Sequence, residues 1–169
     1  MESGQLETHV RDFALDSLLH VVHNNFAMLA ESEGLQLRTR AGSYVVRSDE
    51  ALLRRIIQNF VSNAIRYARK GRIVVGCRRQ GRYVRIEVHD QGPGIPLAEL
   101  ETVFQAFVQS SQTSDGSGGS GLGLAICQKI MLAHGGSIYA ANAPGGGAIF
   151  HIILPAAELT NSEYVTTAP

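Results

Sequence analysis

The sequence predicts an α+β domain, a two-layer sandwich with one mixed, mostly antiparallel sheet and helices packed on one face. Three observations predict it. Two long segments, 13–29 and 50–68, repeat apolar residues at helical spacing. Two alternating apolar–polar segments flank Gln80-Gly81-Arg82, as in a hairpin. A second glycine-rich turn, Pro144-Gly145-Gly146-Gly147, separates two further strand-like runs.

In chain order, Phe13, Leu15, Leu18, Leu19, Val21, Val22, Phe26, Met28 and Leu29 predict a first amphipathic helix, with Asp12 or Asp16 near its start and Gly34 after its end. Residues 35–40 alternate as a short strand, Gly42 and Ser43 turn the chain, and 44–46 is predicted to pair back. Ser48-Asp49-Glu50 caps a second helix that runs to about Ala68 and buries Leu52, Leu53, Ile56, Phe60, Val61, Ala64 and Ile65. Residues 72–79 and 83–89 form the hairpin, and 91–96 is a Gly/Pro loop. A short helix is expected at 97–107. Residues 109–120 are almost all Ser, Gln, Thr, Asp and Gly and read as a mobile loop. A helix at 122–134 and closing strands at 137–141 and 148–154 complete the core, and Pro155 ends it.

The 169 residues are 44% hydrophobic and 18% charged, the balance of a soluble globular chain able to bury a core without staples. A formal net charge of zero removes any global electrostatic case for nucleic acid or an anionic membrane. The basic residues nonetheless crowd between Arg47 and Arg85. They form either a solvated face or a surface that meets an acidic partner or steers a polyphosphate. Cys77 and Cys127 have no metal or redox spacing and read as buried thiols in a reducing compartment. No apolar run approaches a membrane span, and no signal peptide is evident.

Three short motifs carry chemistry. Asn59 and Asn63 lie one helical turn apart on one face. They are either two surface amides or a pair offering a hard neutral oxygen to magnesium and NH₂ groups to phosphate. Asp90-Gln91-Gly92-Pro93-Gly94-Ile95 follows a strand. It is either a capped tight turn or a loop whose glycines admit a ligand against the backbone while the carboxylate accepts from an exocyclic amine. Gly119-Ser120-Gly121-Leu122-Gly123-Leu124 opens a helix, where freed amides make an anion site. It lacks the Lys-Ser/Thr of a P-loop and the preceding strand of a dinucleotide fingerprint.

Together and in this order, the motifs resemble the catalytic ATP-binding domain of sensor histidine kinases, within the wider superfamily of gyrase, heat-shock-90 and mismatch-repair ATPases. The resemblance spans about residues 13–155 and implies a Bergerat-type ATP-binding fold. It implies that Asn63 coordinates Mg²⁺ with Asn59 beside it, and that Arg66 and Tyr67 contact phosphate and nucleotide. Asp90, with Gly92, Gly94 and Ile95, would hold adenine. Phe104 and Phe107 would anchor a lid. Gly119, Ser120, Gly121, Leu122, Gly123 and Leu124 would face the phosphates, and Gly145 and Gly147 resemble a last glycine box. That box often carries a hydroxyl residue where this chain has Ala148. The run at 104–111 is similar to hybrid histidine kinases.

In ATP-hydrolysing relatives, and in the serine kinases of the superfamily, a glutamate base stands where this chain has Asn59. The resemblance therefore implies phosphoryl transfer from Mg-ATP to histidine, rather than hydrolysis or a nucleotide-binding pseudokinase that signals by contact alone. None of the six histidines fits the family's acceptor motif, so all read as structural. The expected organisation is a linker or remnant of a helical dimerisation and histidine-phosphotransfer domain at 1–11, the catalytic domain at 12–155 and a polar tail at 156–169. The implied partners are that helical domain, absent here, and a downstream response-regulator receiver domain. No contact with nucleic acid or membrane is expected of the fragment, the isolated domain is expected to be monomeric, and its expected location is cytoplasmic, whether or not the full-length protein is anchored in the inner membrane.

Overall fold

A computed structural model describes residues 8–68, 70–104 and 122–157. In chain order the elements are β1 (Val10–Ala14), α1 (Leu15–Ser32), β2 (Leu35–Arg40), β3 (Val45–Asp49), α2 (Glu50–Tyr67), β4 (Gly71–Gln80) and β5 (Tyr83–His89). A single 3-10 turn (Leu97–Glu99), α3 (Leu122–Ala133), β6 (Ser137–Asn142) and β7 (Ala148–Pro155) follow. Five strands form one sheet in the order β2-β4-β5-β7-β6. The β2–β4 pair is parallel and the other pairs are antiparallel, so the sheet is mixed and mostly antiparallel as predicted.

Strand alternation sorts the sheet into two faces. Ile73, Val75, Val84, Ile86, Val88, Ile152 and Leu154 point to one side and are buried with Leu18, Leu19, Leu53, Ile56, Ile57 and Phe60 of the helices. An aromatic group binds the layers together. Phe60 of α2 stacks on Phe150 of β7 at 4.9 Å, and Phe104 meets Phe150 edge-on at 6.1 Å.

The start of the domain departs from the sequence expectation. Phe13 lies in β1, not in the first helix, and α1 begins at Leu15. Asp12 does not cap it. The cap position is Ala14, and the Leu15 N–H donates to the Tyr44 carbonyl at 3.0 Å. β3 pairs with β1 to make a separate two-stranded ribbon and does not return to β2. The reason is packing: in this register Phe13 sits opposite Val46 and both are buried. On α1, Val21, Met28 and Leu29 are exposed, so the buried stripe is narrower than the apolar pattern suggests.

Asp49 joins the ribbon to α2. Its Oδ1 accepts from the Leu52 N–H at 3.1 Å, the expected helix cap, and its Oδ2 accepts from the His9 N–H at 2.8 Å. Arg11 pairs with Glu50 in the first turn of the helix. Of the helix predicted at 97–107, the described part holds only the turn at Leu97–Glu99. The predicted loop 109–120 lies outside the described residues.

Candidate functional site

The site is built where β5 ends beside the start of β7 and the last turn of α2. Asp90 follows β5 and is buried. Its N–H donates to the Ala148 carbonyl at 3.0 Å. Its Oδ1 accepts from the Gly92 N–H at 2.9 Å and the Ala148 N–H at 3.1 Å. Two backbone donors on one oxygen fix the carboxylate plane. Among the described residues, Oδ2 accepts no hydrogen bond, so it is the acceptor left for a ligand.

The glycines here meet close neighbours. A Cβ on Gly92 would lie 3.2 Å from the Tyr67 carbonyl and 3.4 Å from Ala68 Cα, so the 90–94 loop rests on the end of α2. Gly147 has φ +89, and a side chain there would collide with the Asp90 carbonyl. Gly145 has open space around it and serves as a turn residue of the β6–β7 connection. The two residues suggested as one glycine box therefore do different things.

Asn142, at the end of β6, completes the loop. Its Oδ1 accepts from the Ile95 N–H and its Nδ2 donates to the Ile95 carbonyl, both at 2.7 Å. Gln91 Oε1 accepts from the Arg72 N–H at 2.8 Å, tying the loop to β4. Within the sequence motif Gln91 carries no role of its own, and nothing in the sequence singles out Asn142. Asn142 ends an unremarkable strand 47 residues from its partner, and no local pattern marks it.

Asn59 and Asn63 are half-buried on α2, and Arg66 is exposed near its C-terminal end. Asn63 is one turn before Tyr67, whose carbonyl touches the Gly92 position, so the helix and the loop bring amides and carboxylate into one neighbourhood. Asn59 Nδ2 lies 3.5 Å from Cys127 Sγ, which links α2 to α3. Cys127 is buried, and burial pushes its thiol up to about 11, so it packs as a neutral group. Leu122, Gly123 and Leu124 form the first turn of α3. Phe107, Gly119, Ser120 and Gly121 lie outside the described residues. Phe104 is buried against Phe150 and anchors the chain where that segment begins.

Among the described residues, no three His, Cys, Asp or Glu side chains gather as a metal cage. The donor chemistry instead fits a divalent cation held by one carboxamide and by the ligand's own oxygens. No described helix is long and apolar enough to cross a membrane.

Residues 48–158 match the family model described as histidine kinase-, DNA gyrase B-, and HSP90-like ATPase. The chain is 34% identical over 157 residues to the alginate biosynthesis sensor protein KinB of Pseudomonas aeruginosa, covering 91% of this chain and 26% of that protein. Full-length ShkA, solved in complex with AMPPNP, matches with a TM-score of 0.80 and 29% identity over 91% of this chain and 32% of that one. Histidine kinase ThkA, solved in complex with the response regulator protein TrrA, matches with a TM-score of 0.77 and 25% identity over 92% of this chain and 44% of that one. The chain thus spans about a quarter to under half of these relatives.

Proposed function

Because the chain belongs to the histidine kinase-, DNA gyrase B- and HSP90-like ATPase family, we propose that it is the ATP-binding catalytic domain of a sensor histidine kinase. In this reading it transfers the γ-phosphoryl group of Mg-ATP to a histidine on a helical domain that the described fold does not contain. The observation that carries the reading is the Asp90 carboxylate, locked by two backbone N–H groups on one oxygen and open on the other, beside the last turn of the asparagine-bearing helix.

The residues act by position and charge. Asp90 Oδ2 accepts from the adenine amino group, and guanine, which presents a carbonyl there, is rejected. Gly92, Gly94 and Ile95 form the backbone wall against the base. Asn63 would hold Mg²⁺, which neutralises charge on the phosphates when bound. Asn59 stands beside it as an amide, which cannot accept a proton from water at neutral pH, so the site favours a histidine nucleophile over hydrolysis. In this reading Arg66, Tyr67 and the stretch Gly119, Ser120, Gly121, Leu122, Gly123 and Leu124 would contact the phosphates, and Phe104 and Phe107 would anchor a lid.

The partners in this reading are the helical histidine-phosphotransfer domain, connected through residues ahead of β1, and a response-regulator receiver domain, as for ThkA with TrrA. The expected bounds of 12–155 shift, because Val10 and Arg11 belong to β1 and the N–H groups of Ala156 and Ala157 donate to Arg82 and Val45; the domain so bounded would work in the cytoplasm. Calorimetric titration with ATP, with and without Mg²⁺, tests binding. Transfer of labelled phosphate to an added helical domain tests the kinase. No Mg-dependent binding overturns the site, and turnover to free phosphate without an acceptor would make the chain a hydrolase instead.

A further inference from the structure

The sheet face turned away from the helices carries Arg38 and Arg40 of β2, Arg72 and Arg78 of β4, and Arg85 of β5. The strands are neighbours, so the five arginines share one sheet face. Arg78 stands directly opposite Arg85 in the register. Like charges facing each other across a strand pair cost stability, and here Glu87 offsets that cost for this one pair. Among the described residues of this face Glu87 is the one carboxylate. It is already engaged by Arg78 at 3.1 Å, Arg85 at 2.8 Å and His89 at 2.8 Å. Arg38, Arg40 and Arg72 have no carboxylate partner among the described residues.

Among these arginines stands Gly76. The register places it between Arg40 and Glu87. A Cβ there would meet nothing within 4 Å. Glycine inside a strand weakens it and leaves a gap one side chain deep. We propose that this face docks an acidic protein surface, with one Asp or Glu side chain entering the notch over Gly76 and meeting the forks of Arg40 and Arg78. Guanidinium pairs with carboxylate through two parallel N–H donors. A side-chain-wide notch admits a single carboxylate branch, whereas a phosphodiester backbone has no branch to insert. The arginines are flanked by exposed Tyr83 and Tyr139, with no lysine among the strand residues of this face. That composition is the one found at protein interfaces. The inference is independent of the nucleotide reading.

Fluorescence anisotropy of labelled octaglutamate at low salt tests it on the whole chain. The wild type and Arg54→Glu, a change on the helix layer, bind the peptide. Gly76→Val fills the notch with a residue that suits a strand, so it melts no lower than wild type yet binds at least about tenfold more weakly. The double variant Arg38→Glu/Arg40→Glu loses binding as well. No binding by wild type, undiminished binding by folded Gly76→Val, or tighter binding of single-stranded DNA or phosphatidylserine vesicles than of the peptide overturns the proposal.

Discussion

Asp90 and Ala148 hold each other twice: the Ala148 N–H donates to Asp90 Oδ1 at 3.1 Å, and the Asp90 N–H donates to the Ala148 carbonyl at 3.0 Å. On the Ala148 side both bonds are backbone, so fixing the carboxylate needs no hydroxyl at that position. The same arrangement separates the structural oxygen of Asp90 from its free one.

Asp90→Asn can keep an oxygen toward the two backbone donors while turning the free acceptor into an amide donor. ATP affinity is expected to fall at least about tenfold, roughly 1.4 kcal/mol. The melting temperature should change little. Asp90→Ala would strand two N–H groups and cost about 2 kcal/mol or more of stability. Calorimetric titration and thermal melts on both variants check this, and unchanged ATP affinity in Asp90→Asn rejects the adenine role.

Gly147→Ala forces a Cβ into the Asp90 carbonyl from a left-handed backbone. A loss of at least about 2 kcal/mol is expected, with ATP binding impaired in the same variant. Gly76→Ala, in open space and without a positive φ, should raise stability by about 0.5 kcal/mol. Equal denaturant midpoints for the two would show that the contact at Gly147 is not tight in solution.

Asn142→Ala removes both hydrogen bonds to Ile95. A destabilisation of about 1–3 kcal/mol is expected, with faster amide exchange at Ile95 and weaker nucleotide binding. Asn142→Asp keeps the acceptor but sets a carboxylate oxygen against the Ile95 carbonyl, so it should not restore the wild-type clamp. An Ile95 amide as protected in Asn142→Ala as in wild type would sink the clamp.

Acid should destabilise the fold in two stages. His151 is held below its ordinary 6.5 by burial, against the opposing pull of Glu87. A depressed histidine contributes stability above 6.5 that is lost as pH falls through its folded value. Burial pushes Glu87 up, but its hydrogen bond with His89 and the charges of Arg85, Arg78 and His89 outweigh this and hold it below 4.5. Asp49 is likewise raised by burial but held below 3.8 by the N–H groups of His9 and Leu52. Both carboxyls contribute stability above their unfolded values and lose it as pH falls through the folded ones. Melts across pH should therefore decline below 6.5 and again below 4.5. His151→Gln should flatten the first stage alone, and a profile identical to wild type would refute it.

Much of the fold was legible because its signals are local. Asp49 caps α2 as its position before Leu52 implies, and the Gln80-Gly81-Arg82 turn closes the β4–β5 hairpin. The Asp90 loop was legible through residue types that its conformation requires. β1 was not, because Phe13 runs in helical phase with Leu15 and Leu18 while its strand partner Val46 is 33 residues away. The same distance effect hid β3's true neighbour and the Asn142–Ile95 clamp. The buried Glu87 was hidden differently. Alternation placed it on the open face, and the closing of Arg78, Arg85, His89 and His151 around it removes it from water.

Asp49 serves two clients with one carboxylate, the incoming chain at His9 and the first turn of α2 at Leu52. A displacement of the chain at His9 would therefore bear on the first turn of the rod on which Asn59 and Asn63 ride. Slackening that joint would show first as loss of protection at the Leu52 amide, before any strand of the main sheet responds.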